Sequence, residues 1–234
     1  MSLPLFDTEP QPSQSIADGA VLLRGWAAAL DAQWIAAVQQ VLAQQPWQAA
    51  YTASGLPMSV QTSNCGPWGW AASRSGYGYT RSDPASGRDW PAMPAFLQRQ
   101  AQALAAAAGY AHFAPDVCLI NRYAVGAKMG LHHDADERDR AAPIVSVSLG
   151  LPCTFVWGGL QRSDPVRSFR LEHGDVLVWG GASRMVFHGV RPLQAGQHHV
   201  LGAQRWNLTF RMARAAYGGS AKAASGAGLP RSGI

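Results

Sequence analysis

Charged side chains are scarce in this sequence. Asp, Glu, Lys and Arg make up 14% of the 234 residues, against about a quarter in an ordinary soluble domain. Lysine is nearly missing, present only as Lys128 and Lys222, so 17 of the 19 basic residues are Arg. A low charge fraction beside 47% apolar residues excludes global disorder, which needs the reverse composition. Cysteine is sparse too. Cys65, Cys118 and Cys153 lie far apart and form no CxxC pair, which argues against a disulfide scaffold and suits a reducing, cytoplasmic setting. The first residues show no basic segment followed by an apolar one, so no secretory leader is expected. The uncharged run 141–161 is long enough to raise the question of a membrane span. Pro143, Gly150, Pro152, Gly158 and Gly159 interrupt it, and two buried strands are expected there instead.

What remains is rich in Gly, Pro and Trp, with 25, 15 and 9 residues. Many turns and aromatic side chains favour a mainly β body. The net charge of +5 falls to +2 through Arg211, because Arg214, Lys222 and Arg231 have no acidic counterparts after it. A local anion-binding patch is the most that this balance implies.

Along the chain, residues 1–18 read as a flexible arm and 19–211 as one domain. A short strand is expected at Ala20–Leu23. A helix is expected over 32–44, capped by Asp31, with Trp34, Ile35, Val38, Val41 and Leu42 on one stripe. Residues 51–90, holding NCGPWGWAASRSGYGY, have little periodicity beyond Met58–Thr62 and read as a functional loop or lid. Pro94 opens a second helix that ends at Gly109. From about 116 to 211 the pattern is strands: 117–123, 144–150, 153–157, 167–171, 175–179, 185–190 and 199–211. Residues 212–234 read as a disordered tail.

Three stretches carry chemistry: LHHDADE (131–137), MVFHGVRP (185–192) and QRWNLTFR (204–211). On an extended strand, residues two apart share a face. His132 and Asp134 then point together, and His133 points away. A third ligand must come from elsewhere, and His188 lies in a strand-like run. Two His and one carboxylate on one face of an octahedron leave open positions, the arrangement of ferrous oxygenases. By itself an HxD triplet also fits an ordinary polar strand end. The last stretch adds weight. Arg205, Asn207, Thr209 and Arg211 alternate with Trp206, Leu208 and Phe210. Buried guanidinium groups are costly unless an anion meets them, and a dicarboxylate meets them through two-pronged hydrogen bonds. An outward polar face is the alternative. Asn121 and Tyr123 share a face on the 117–123 strand and can reach the same anion.

The runs CLINRYAVGAKMGLHHDADE, APIVSVSLGLP, LEHGDVLVWGG, FHGVRPL and RWNLTFR, with NCGPWGW and DWPAMP, resemble the AlkB family of oxidative DNA-dealkylation enzymes. The resemblance extends from about Ala20 to Arg211. It implies a double-stranded β-helix, or jelly roll, with flanking helices and a nucleotide-recognition lid extended to about residues 45–90. It implies Fe(II) held by His132, Asp134 and His188, with O2 and 2-oxoglutarate as co-substrates. It places 2-oxoglutarate against Asn121, Arg122 and Tyr123 and against Arg205, Trp206, Asn207, Leu208, Thr209, Phe210 and Arg211. It places the methylated nucleotide against Trp70, Tyr77, Gly78, Tyr79, Asp136 and Arg162. The implied reaction removes methyl groups from bases such as 1-methyladenine and 3-methylcytosine, releasing formaldehyde and succinate. The implied partner is single- or double-stranded alkylated DNA, with RNA as an alternative, met by a monomer without membrane contact. His133 and Ala135 stand where the family pattern has Gln and Lys, and Trp206 where it has Tyr, so substrate preference is the property these departures touch. An oxygenase of RNA, protein or a small molecule, and a non-catalytic nucleic-acid-binding module, are the rival readings.

Overall fold

The computed structural model describes residues 13–51, 55–73 and 76–214. It begins with a hairpin, β1 (Ser13–Ala17) and β2 (Ala20–Leu23), then α1 (Asp31–Leu42). β3 (Gln48–Tyr51), β4 (Pro57–Cys65), β5 (Gly69–Ser73) and β6 (Gly76–Thr80) follow, and then α2 (Ala95–Ala107). The remaining strands are β7 (Val117–Ala124), β8 (Met129–His132), β9 (Ile144–Gly150), β10 (Cys153–Trp157), β11 (Arg167–Leu171), β12 (Val176–Trp179), β13 (His188–Val190) and β14 (Gln204–Arg211).

Eight strands form one antiparallel sheet in the order β1-β2-β12-β9-β14-β7-β4-β3, and four form a second, β11-β10-β13-β8. Period-two alternation decides which side chain faces which layer. On β14, Trp206, Leu208 and Phe210 face the helices, where Trp34 and Val38 of α1 and Leu97 and Leu104 of α2 pack on them. Trp34 meets Phe96 and Phe210 edge-on at 5.3 and 6.2 Å. The opposite face of the large sheet meets the small one through Leu22, Leu177 and Trp179 against Phe155, Trp157 and Leu171. This is the jelly roll with its helices on one side. Emptying one of these positions, as in Phe210→Ala, costs about 3–5 kcal/mol.

Tight packing dictates two glycines. Gly19, at φ +71° in the β1–β2 turn, lies where a Cβ would sit 2.3 Å from the Gly180 carbonyl oxygen. Gly189 lets β13 press on β8, since a Cβ there would fall 2.7 Å from the Met129 carbonyl oxygen.

Several expectations need correcting. Residues 13–17, expected in the arm, pair with β2. Asp31 is the first residue of α1 and not its cap; its carboxylate accepts the Ala32 N–H at 2.5 Å. The lid segment is built of strands. β3 and β4 extend the large sheet through β7, and β5 and β6 form a hairpin of their own. The strand expected over 185–190 is only 188–190, and that over 199–211 begins at Gln204. At the chain end, residues 215–234 lie outside the described residues, whereas Met212 and Ala213 are buried. No helix among the described residues is long and apolar enough to cross a membrane.

Candidate active site

β8 and β13 are neighbours in the small sheet, and their register places His132 directly opposite His188. β8 stops at His132, and the irregular turn that follows brings Asp134 back beside both rings. Asp134 Oδ1 lies 3.9 Å from His132 Nε2, and Oδ2 lies 3.8 Å from His188 Nε2. Ligand atoms of the three residues fall within 4.8 Å of one another, close enough to share one metal ion. His132 Nδ1 lies 2.9 Å from the Gly130 carbonyl oxygen and His188 Nδ1 lies 3.0 Å from that of Val186. A carbonyl only accepts, so each Nδ1 carries the proton and each Nε2 presents a lone pair, the tautomer a metal ligand needs. His188 is buried, and that burial, followed by the His132 ring, pulls it down to about 4, so it is neutral at pH 7. Burial pushes the Asp134 carboxyl up. The Arg211 guanidinium, then His188 and His132, outweigh that and hold it well below the usual carboxylate range.

The same cavity, about 590 Å³, is lined by Asn121, Tyr123, Arg205, Asn207, Thr209 and Arg211. Arg205 is 1% exposed and Arg211 6%. Arg205 spends one nitrogen on Ser148 Oγ at 2.9 Å and rests over the Tyr123 ring at 5.1 Å. Burial lifts the Tyr123 phenol to about 12, against the pull of Arg205. Arg211 donates to Asp134 Oδ2 at 3.0 Å. The Nε and Nη1 groups of both Arg lack a hydrogen-bond partner. Buried unpaired guanidinium N–H groups are expensive. An anion with two carboxylates removes that cost, so these residues fit 2-oxoglutarate, as the two Nε2 atoms and the carboxylate fit iron(II).

At the cavity mouth Trp70 of β5 and Tyr77 of β6 stack, with ring centroids 5.3 Å apart and planes 17° apart. Trp70 Nε1 donates to Asp136 Oδ2 at 3.1 Å. Tyr79 also lines the cavity, and its hydroxyl donates to Glu137 at 2.7 Å.

Not every expected residue reaches the cavity. Trp206, Leu208 and Phe210 face the helices, as the alternation on β14 requires, and Trp206 packs on Trp47 at 5.7 Å. Arg122 and Gly78 alternate away from Tyr123 and Tyr79 and are not among the lining residues. Arg162 donates to the Leu131 carbonyl at 2.6 Å from outside it. His133 touches the rim but packs edge-on against Phe187 at 4.5 Å and is not in the metal cluster.

Sequence reasoning missed four residues. Glu137 and Arg184 form a buried ion pair at 2.8 Å, and Glu137 lies 3.4 Å from Arg211 Nε. Arg184 also donates to the Asp134 carbonyl at 2.8 Å, which fixes the turn that carries the ligand. Ser146 and Ser148 hold Asn207 and Arg205. The alternation of VSVSLG signals the two serines; nothing local signals Arg184.

The 2OG-Fe(II) oxygenase superfamily pattern matches residues 19–211. The chain belongs to the 2OG-Fe(II) oxygenase superfamily. It is 51% identical over 212 residues to alpha-ketoglutarate-dependent dioxygenase AlkB of Escherichia coli K12, covering 90% of this chain and 98% of that protein. With the human nucleic acid dioxygenase ALKBH1 it shares 32% identity over 119 residues, 49% of this chain and 30% of that one. The solved structure of OsALKBH1 matches with a TM-score of 0.75 at 28% identity, covering 86% of this chain and 99% of that one. This oxygenase is therefore a dioxygenase of the AlkB kind, dependent on iron(II) and 2-oxoglutarate.

Proposed function

We propose that this dioxygenase oxidatively demethylates N-alkylated bases such as 1-methyladenine and 3-methylcytosine in DNA. One observation carries the reading: a two-His, one-carboxylate cluster, two buried Arg that each keep N–H groups without a hydrogen-bond partner, and the stacked pair Trp70 and Tyr77 share a single cavity. The first two features serve any oxygenase of this class, and the stacked Trp70 and Tyr77 favour a flat base over a protein side chain or a small molecule.

Iron(II) with 2-oxoglutarate and O2 supplies the oxidation of a methyl C–H bond. The hydroxymethyl group on a ring nitrogen then leaves as formaldehyde, and 2-oxoglutarate leaves as succinate and CO2. His132, Asp134 and His188 hold the metal on one face. Arg205 receives one carboxylate of 2-oxoglutarate, and Arg211 stands at the metal end beside Asp134. Burial of these groups keeps water from the reaction. The base must leave the stack to reach the metal, and a methyl that already blocks pairing lowers that cost. Trp70 offers the ring face and Asp136 the carboxylate, both suited to a cationic base with an exocyclic amine. Single-stranded DNA is the simplest substrate, since its base is already unpaired; duplex DNA and RNA are further ones. A cytoplasmic monomer is the form that we propose acts.

The test is lesion-dependent turnover. Protein, iron(II), 2-oxoglutarate and a 3-methylcytosine oligonucleotide should release succinate and formaldehyde and restore cytosine. Succinate release that ignores the lesion would point to another substrate class.

A further inference from the structure

We propose that Trp68, Arg81 and Arg214 form a second nucleic-acid contact, which grips the phosphate backbone of the strand beyond the extruded base. The inference rests on the proposed nucleic-acid substrate and adds a site outside the catalytic cavity. Arg81 Cζ lies 4.7 Å and Arg214 Cζ 5.6 Å from the Trp68 ring centroid. Two guanidinium groups thus share one half-buried indole. Both Arg are exposed, and neither makes an ion pair among the described residues. Neither charge is neutralised by an acidic side chain among the described residues, so an anion at the guanidinium edges would complete both groups. Stacking uses the flat face of a guanidinium and leaves its N–H edge free for a two-pronged bond to a phosphate.

The site is built and fixed. The Trp68 N–H donates to the Asp116 carbonyl at 3.3 Å. The Asp116 carboxylate accepts the main-chain N–H groups of Ala213 at 2.5 Å and Arg214 at 2.9 Å. Asp116 therefore joins the lid to the chain beyond β14. Arg138 N–H donates to the Ala213 carbonyl at 2.9 Å, tying the same segment to the turn that carries Asp134 and Asp136.

Position selects the partner. Trp68 and Trp70 pack in one cluster with Tyr79, Val117 and Ala213. Trp68 stands two residues before Trp70, which puts the next aromatic ring of the lid beside the one that lines the cavity. A strand whose base enters beside Trp70 therefore carries its neighbouring phosphates past Trp68. The adjoining cleft, lined by Trp90, Met93 and Gln98, also holds the Asp89 carboxylate. That carboxylate places the phosphate at the guanidinium edges and not inside the cleft.

The test is fluorescence anisotropy of the full chain with a labelled, unmethylated 15-residue single strand between 50 and 200 mM salt. Each phosphate contact to single-stranded nucleic acid contributes about 0.7 to the slope of log affinity against log salt. Arg81→Gln with Arg214→Gln should lower the slope by about 1.4, so wild type loses about seven-fold more affinity than the double variant across that range. Trp68→Leu should weaken binding without changing the net charge. Arg170→Gln, which removes an exposed charge on β11, should leave the slope unchanged. A double variant with the wild-type slope overturns the proposal, as does an equal drop for Arg170→Gln. Because the probe carries no lesion, the contact is measured without turnover. A wild type that binds this strand yet never demethylates would sink the demethylase reading alone.

Discussion

Asp134 serves three neighbours at once: it faces both metal-site imidazoles and accepts from Arg211. Arg184 and Glu137 hold the turn beneath it. His132→Ala removes an Nε2 ligand and should abolish iron binding, measured as metal content after anaerobic loading. His133→Ala removes only packing against Phe187 and should keep it. The reverse outcome would mean that the register of β8 is wrong. Asp136 lines the same cavity and accepts from Trp70. Asp136→Asn keeps the shape and an acceptor for Trp70 Nε1 but loses the charge. A charge-assisted hydrogen bond contributes about 1.5–3 kcal/mol against about 1 for a neutral one, which is roughly a few-fold to tens-fold in rate. Repair of cationic 1-methyladenine and 3-methylcytosine should slow by that factor, and repair of neutral 1-methylguanine and 3-methylthymine less. Equal slowing of all four lesions would show that Asp136 positions Trp70 and does not read charge.

Among the elements, the lid depends on one buried carboxylate. Asp83 is 2% exposed and accepts from Gln45 at 3.1 Å, Gln48 at 2.9 Å, Ser86 at 2.8 Å and the Ala85 N–H at 3.0 Å. It ties the entry to β3 to the turn after β6. Burial raises its carboxyl, but the hydrogen bonds from Gln48, Ala85, Ser86 and Gln45 together lower it below the ordinary value. The folded value lies below the unfolded one, so the stabilisation is complete above about pH 4 and is lost as pH falls through the folded value. Asp83→Asn should therefore lower stability at pH 7 and flatten its decline below pH 4, read by urea unfolding across pH. A parallel decline in both proteins would remove Asp83 from the acid response. Within the lid only β4 was legible, in part, as the strand expected at Met58–Thr62; the Asp83 anchor and β3, β5 and β6 were not. β5 and β6 are five residues each, rich in Gly and Ser, and β3 is four residues long, too short to show a period. The jelly-roll strands were legible because Val, Ile, Leu, Phe and Trp recur in short runs between turn residues: β7, β9, β10 and β11 lie within a residue of their expected bounds. The Arg-bearing face of β14 could be read because Arg205, Asn207, Thr209 and Arg211 alternate with Trp206, Leu208 and Phe210. The turn 133–137 could not, because an interaction 50 residues away, Arg184 with the Asp134 carbonyl, sets its path.

Across the whole molecule, the two sheets clamp the cavity between them, and the segment after β14 is tied back to the start of β7 through Asp116. Ending the chain at Met212 removes two hydrogen bonds to the Asp116 carboxylate, so this version should melt below one ending at Arg214. The deficit should be about 1–3 kcal/mol, roughly 2–12 °C at this size. Equal midpoints would show that the body stops at β14. The clamp also encloses Arg205, whose Nε and Nη1 groups have no hydrogen-bond partner among the described residues. A ligand that binds the folded chain alone stabilises it by about 2.7 kcal/mol at one hundred times its Kd, about 5–11 °C here. Iron(II) without O2 should raise the midpoint, and 2-oxoglutarate should raise it further. Arg205→Met removes the unpaired buried charge while keeping much of its volume, so the ligand-free midpoint should hold or rise. The increment from 2-oxoglutarate should disappear, and the increment from iron should remain, because His132, Asp134 and His188 are untouched. A fall of more than about 1.5 kcal/mol in the ligand-free variant, the contribution of a hydrogen bond to a charged group, would show instead that Arg205 and Ser148 hold β14 to β9.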